Sequence, residues 1–228
     1  HDLCGDEDSV RDLALGQSEW GPTVYAAVWT GPRLVDGRWS AGGGRIVALQ
    51  AETGRRTGGY PLDGVPGQVS FWQGHAAQDR SLYVLESFPG TATADGQTEH
   101  VAGGERRWRL LRLDPATLTP EAVYPLPHPP QPQARFAVAP EGGQAYVLTG
   151  HDAGSGGAAL LDVDLLSGAT SRFVVLPGAG VELAVAARYI FVTNPSGGEV
   201  WVIDRRQRRI VRTVPLGQRP LAVAATWP

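Results

Sequence analysis

The sequence predicts an all-β chain, a β-propeller of about four visible blades with four strands in each. Three observations carry that expectation. Short apolar segments recur in groups of four, one turn chemistry recurs at the same place in each group, and several segments are apolar on consecutive residues instead of alternating. Strands of that last kind are buried on both faces, as they would be in a blade packed between two neighbours. Composition agrees: 42% hydrophobic and 19% charged, with 30 Gly and 18 Pro in 228 residues, describes an ordered chain with many turns.

The clearest group lies nearest the C-terminus, with apolar segments at 183–187, 189–194, 200–204 and 210–216 divided by turn residues. The same order recurs at 136–139, 145–149, 159–164 and 171–176, and again at 69–72, 81–85, 108–114 and 122–126. Segments 23–28, 45–49 and 59–62 supply the second to fourth strands of a further copy. Tyr25, Tyr83, Tyr146 and Phe191 correspond, so the period is about 45–60 residues, close to the spacing of propeller blades. The extra length falls between second and third strands, at 31–44, 87–107 and 150–157.

The turn joining third and fourth strands is aligned as Ala51-Glu52-Thr53-Gly54 in the front copy. It opens on Asp114, Asp164 and Asp204 in the others. Asp in that position accepts backbone N–H groups two residues on, and a later Gly supplies positive φ.

The front copy lacks a first strand. Residues 220–225 match the first strand of the other copies, with Leu221-Ala222-Val223-Ala224 set against Leu183-Ala184-Val185-Ala186. They are expected to pair with the blade of Tyr25 and close a ring. Residues 1–20 are then an arm, or a stray outer strand of an earlier blade at 10–15, and 21–228 are the propeller. The alternative is a fragment of a larger, seven-bladed type.

Phe191-Val192-Thr193-Asn194, Val200-Trp201-Val202-Ile203-Asp204 and the run from Val214 to Ala224 together resemble the YVTN-type β-propeller repeat over about 40 residues. Tyr83-Val84-Leu85-Glu86 and Tyr146-Val147-Leu148-Thr149 keep its aromatic-Val start and lose the Thr-Asn ending. The resemblance implies a propeller, commonly in prokaryotic surface or exported proteins, with lactonase-like and amine dehydrogenase heavy-chain-like relatives. Such propellers usually have seven blades. Four visible blades leave a small ring, a fragment, or an open array completed by another chain. The motif is structural and assigns no catalytic residue.

All 20 basic residues are Arg and the net charge is −3, without the broad basic field that a phosphate backbone requires. The longest apolar stretch, 181–192, is broken by Glu182 and Arg188 and is too short to span a bilayer. The sequence contains no Met, so His1 is not expected to be a natural start. Cys4, the one cysteine, is expected to be a free thiol.

In a propeller, the 2–3 and 4–1 connections emerge on one face, around the channel mouth. They place Trp39, His100, Arg106, Arg107, His128, His151, Asp152 and Arg219 there as candidate ligand-binding residues. His75 falls on the opposite face. His100, His128 and His151 lack the close spacing of metal motifs, so neither a metal nor a cofactor is expected. Asp6, Glu7 and Asp8 lack the pattern of a calcium loop and are expected to be solvated. The Gly-rich runs at 42–44 and 154–157 are turns, and no nucleophile elbow is present. Asp162 and Asp164 are expected to accept hydrogen bonds at a turn. Arg205, Arg206, Arg208, Arg209 and Arg212 are expected to form a solvated edge.

The expected function is a non-catalytic binding or scaffold module outside the cytoplasm, with a protein or small-molecule ligand at the channel mouth. Oligomerisation is expected if the propeller is open. The alternative is a lactonase-like hydrolase, or the propeller subunit of a redox enzyme.

Overall fold

The structure, a computed structural model, describes residues 8–31, 33–35, 38–40, 42–74, 76, 79–89, 106–127, 135–149 and 158–225. These form four four-stranded antiparallel sheets and one small hairpin, the blades of a β-propeller. The chain divides into two compact units, His1–Val123 and Tyr124–Pro228.

In the first unit, β1 (Asp8–Ser18) turns through two residues into β2 (Gly21–Thr30). A hairpin of β3 (Arg33–Val35) and β4 (Arg38–Ser40) precedes β5 (Gly43–Gln50) and β6 (Arg56–Leu62). The first blade has the order β1-β2-β5-β6. The second is built from β7 (Val65–Gln73), β8 (Arg80–Pro89), β9 (Arg106–Leu113) and β10 (Pro120–Leu126), in the order β10-β9-β8-β7. Tyr25, Ala27, Ile46 and Ala48 of the first blade form one core with Val69, Leu82, Val84, Leu111 and Leu113 of the second. Tyr25 stacks on Phe71 with ring centroids 6.0 Å apart. A Cβ at Gly16 would sit 2.4 Å from the Phe71 ring, so glycine is required where β1 crosses it.

The first strand of the front blade is therefore Asp8–Ser18, which corrects the expected arm at 1–20. It fills the edge of β2 that residues 220–225 were expected to take, and those residues carry no strand. The physical reason is loop closure. A two-residue turn brings β1 onto β2 at far smaller entropic cost than joining segments about 200 residues apart.

In the second unit, β11 (Phe136–Val138), β12 (Gln144–Thr149), β13 (Ala159–Asp164) and β14 (Thr170–Val175) form the third blade. β15 (Leu183–Val185), β16 (Tyr189–Asn194), β17 (Glu199–Asp204) and β18 (Arg209–Pro215) form the fourth. Their shared core sets Tyr146, Leu148, Leu160 and Phe173 against Leu183, Val185, Ile190, Val192, Trp201 and Ile203.

The 3–4 turns obey one rule. Asp114 Oδ1 accepts the N–H groups of Ala116 and Thr117, at 2.9 and 2.7 Å. Asp164 Oδ1 accepts those of Leu166 and Ser167, and Asp204 Oδ1 those of Arg206 and Gln207. In the first blade the same register position holds Gln50, not Ala51, because Tyr25 pairs with Ala48 as Phe191 pairs with Val202. The residue four places on has positive φ in every blade: Gly54, Leu118, Gly168 and Arg208. Two of the four are not glycine, which the sequence pattern did not foresee.

The residue after that opening position fastens a neighbouring blade. Tyr25 Oη donates to the Pro115 carbonyl at 2.8 Å in the first unit. In the second, Arg205 Nε donates to Tyr146 Oη at 3.0 Å and lies over the Tyr146 ring. Burial pushes the Tyr25 hydroxyl up to about 12, so it remains a donor.

Candidate functional site

One register position, three residues after the conserved-place aromatic, ends each second strand where the 2–3 connection leaves. The cross-strand pairs there are Val28 with Arg45, Glu86 with Arg109, Thr149 with Ala159, and Asn194 with Glu199. Polar groups collect at this edge because backbone pairing stops there and the strand ends need partners.

The second blade has the densest cluster. Glu86 is 0% exposed within an otherwise apolar strand. It accepts the Gly64 N–H at 2.5 Å and Arg109 Nε at 2.8 Å, while Arg109 Nη2 reaches Asp63 Oδ2 at 2.6 Å. Asp63 and Gly64 lie on the 4–1 connection, so one ion cluster ties that connection to the second and third strands. Burial pushes the Glu86 carboxyl above its ordinary range, and the Arg109 and Gly64 donors oppose the shift.

In the first blade, Asp8 accepts the Thr30 hydroxyl at 2.5 Å and Arg45 Nη2 at 2.6 Å, with its side chain 3% exposed. This corrects the solvated acidic arm for Asp8; Asp6 and Glu7 lie outside the described residues. In the fourth blade, Glu199 Oε1 accepts Asn194 Nδ2 at 3.0 Å and Trp201 Nε1 at 2.8 Å. In the third, Thr149 Oγ1 donates to the Ala159 carbonyl at 3.0 Å and accepts its N–H at 3.2 Å. The sequence pattern did not single out these groups, although a carboxylate inside the apolar run of β8 is a visible signal.

Of the sequence-predicted site residues, Trp39 lies in β4 with its backbone opposite Leu34. Arg106 opens β9 opposite Pro89, and Arg107 follows it opposite Phe88. Arg219 is exposed beyond β18. His100, His128, His151 and Asp152 lie outside the described residues, as do Cys4 and His75. Among the described residues, no three His, Cys, Asp or Glu side chains are grouped to hold a metal ion.

The expected solvated arginine edge is corrected at Arg205, whose side chain is 8% exposed and bonds Glu141, Gln144 and the Ala186 and Ala187 carbonyls. A planar guanidinium with five donors suits such a crowded acceptor set. Arg208 lies over the Phe173 ring at 4.6 Å and 3.7 Å from Asp162 Oδ2. Asp164 is the turn acceptor that was expected. Asp162 is not: it is buried beside Arg208, and burial raises its carboxyl. These groups lie at the 3–4 turns, the end opposite to the 2–3 connections, and fasten blades.

No family model and no curated protein sequence matches the chain. Among solved structures, Citrobacter koseri AztD superposes with a TM-score of 0.51 at 15% identity, over 94% of this chain and 49% of that one. The chain thus spans about half the length of that protein. The β-propeller domain of Myceliophteria thermophila Cps50 (Swd1) gives a TM-score of 0.47 at 9% identity, over 95% of this chain and 76% of that domain. A Bacteroides fragilis structure described as a putative 6-phosphogluconolactonase gives 0.39 at 10% identity, over 92% and 85%. At these identities the likeness concerns the fold. No helix among the described residues is long and apolar enough to cross a membrane.

Proposed function

We propose that the chain is a non-catalytic β-propeller module of the YVTN repeat type, working outside the cytoplasm. It binds a protein or small-molecule partner through the edge where its 2–3 and 4–1 connections leave. The observation that carries this reading is how the polar groups at that edge are used. Glu86, Arg109 and Asp63 bond one another, and Asp8, Thr30 and Arg45 do the same. A carboxylate already held by two donors is a poor base, but it makes a rigid mount for the connections that follow it. Those connections vary in length between repeats and carry Trp39, His100, Arg106, His128, His151 and Asp152 in sequence, with Arg219 after the last strand. Variable loops on a fixed scaffold are where recognition is built.

Photo-crosslinking tests the reading. A benzophenone side chain replaces Leu216, exposed where β18 runs into the 4–1 edge, or Leu166, exposed in a 3–4 turn. In the producing cell, a specific adduct is expected from position 216 and none from 166. Equal capture from both overturns the assignment of the edge. Steady turnover of a lactone by the purified chain overturns the non-catalytic reading, and recovery of the protein solely from cytosol overturns its location.

A further inference from the structure

We propose that two copies of this chain associate head to tail, the first blade of one seated on the fourth blade of the other. The argument compares positions that share one register. Leu183 pairs with Val192 and Val185 with Ile190, as Leu13 pairs with Ala26 and Leu15 with Val24. Leu183 and Val185 are 4% and 5% exposed because the third blade covers them, whereas Leu13 and Leu15 are 56% and 70% exposed. The first blade thus presents, bare, the face that the fourth blade buries.

The fourth blade presents the complementary face. Tyr146, Leu160 and Val174 of the third blade are buried against the fourth. Their register equivalents are Phe191, Val200 and Val214, set by the pairs Tyr146–Asp162, Leu160–Val174, Phe191–Val202 and Val200–Val214. All three, and Val202 beside them, stay half-buried. A bare face of each kind on one chain is the condition for a heterologous contact, which closes when the rotation between copies allows it.

Charge selects the same pairing. Between the third and fourth blades, Arg205 of the 3–4 turn reaches Glu141 of the preceding blade's 1–2 turn. In the proposed contact, the 3–4 turn of the first blade, carrying exposed Glu52, meets the 1–2 turn of the fourth, carrying Arg188. The signs are exchanged and remain complementary. Arg188 gives its Nε to Asp204 at 3.1 Å, which leaves its two terminal nitrogens for a second carboxylate.

The test uses the full chain with Cys4→Ser as background. Light scattering at about 50 μM, in the range where a standard-size contact assembles, is expected to give twice the chain mass. Leu13→Glu with Leu15→Glu changes exposed side chains, so circular dichroism should be unaltered. The dimer dissociation constant should rise more than about tenfold, because two carboxylates would be buried without partners. Arg188→Glu and Glu52→Arg should each weaken the dimer and together restore it. Mixing a Glu52→Cys copy with an Arg188→Cys copy should give a disulfide-linked dimer. A monomer at all concentrations overturns the proposal. So does a disulfide formed by either single variant alone, which would mean like faces meet, or one formed within a chain carrying both cysteines but not in the mixture. A dimer indifferent to both the apolar and the charge variants overturns it as well.

Discussion

Asp114, Asp164 and Asp204 serve one purpose in three blades, and Gln50 stands at the same place in the first. The longer Gln side chain accepts the Thr53 hydroxyl at 2.8 Å instead of the two N–H groups that follow an Asp. Asp114→Ala should cost about 1–2 kcal/mol and Gln50→Asp should gain about 0.5 kcal/mol, both read from thermal melts, in line with net hydrogen-bond contributions. The Asp turns were legible because Asp in that place has a mechanism. The front copy was aligned one residue late because Gln50 carries no such signature. Leu118 is a second case, buried in the core with φ of 57°. Leu118→Ala and Leu118→Gly both lose the packing, but only glycine relieves the backbone. The glycine variant should therefore be the more stable by about 1 kcal/mol, against the usual order. Glu86 gives a pH dependence of uncommon sign. Its raised carboxyl holds a proton longer in the native state than in the unfolded chain, so its contribution falls as pH rises from 4.5 through the folded value and is level above it. Glu86→Gln should flatten that part of a stability-against-pH curve. Asp114 has the opposite sign: its folded value lies below 3.8, because the Thr117 and Ala116 donors outweigh burial, and its contribution is lost as pH falls through that lower value.

Strands buried on both faces declared themselves in the sequence as unbroken apolar runs, and β12, β13, β16 and β17 lie where such runs stand. β1 did not, because Leu13 and Leu15 alternate with small and polar residues and face outward. Its hold on the second blade comes instead from Asp12, which accepts the Val69 N–H at 3.0 Å, and from the passage of Gly16 over Phe71. No periodicity encodes either contact. The candidate site was legible as an edge, since topology alone says where 2–3 and 4–1 connections go. Its polar pairs were not, because they depend on register across strands far apart in sequence. In the fourth blade Trp201 joins the core to that edge, its ring in the core and its Nε1 on Glu199. Trp201→Ala should cost about 3–5 kcal/mol. Trp201→Phe should cost about 1–2 kcal/mol, the share that belongs to the N–H donor. Denaturant melts of the two variants separate packing from polar anchoring.

Over the whole molecule, charge is unevenly divided. Residues 1–123 carry 16 acidic and 11 basic side chains, and residues 124–228 carry seven and nine. The overall figure of −3 therefore hides an acidic first part and a basic second part. That division favours head-to-tail pairing of copies and opposes the pairing of like parts. Self-association should weaken as sodium chloride is raised from about 0.05 to about 0.5 M, because a rim ion pair is screened once the Debye length falls to a few ångströms. Sedimentation at the two salt levels checks this. A dimer held by its apolar faces alone would not respond.

The bond from Tyr25 to the Pro115 carbonyl spans 90 residues of chain. On a ribosome adding about 5–20 residues each second, the first blade waits about 5–20 s for the partner of its buried phenol. Through that interval the nascent chain holds a hairpin whose core side has nothing to rest against. Codon choice over residues 65–115 thus acts on folding yield, since slower decoding there lengthens the one period in which the emerging sheet is open to the wrong neighbour.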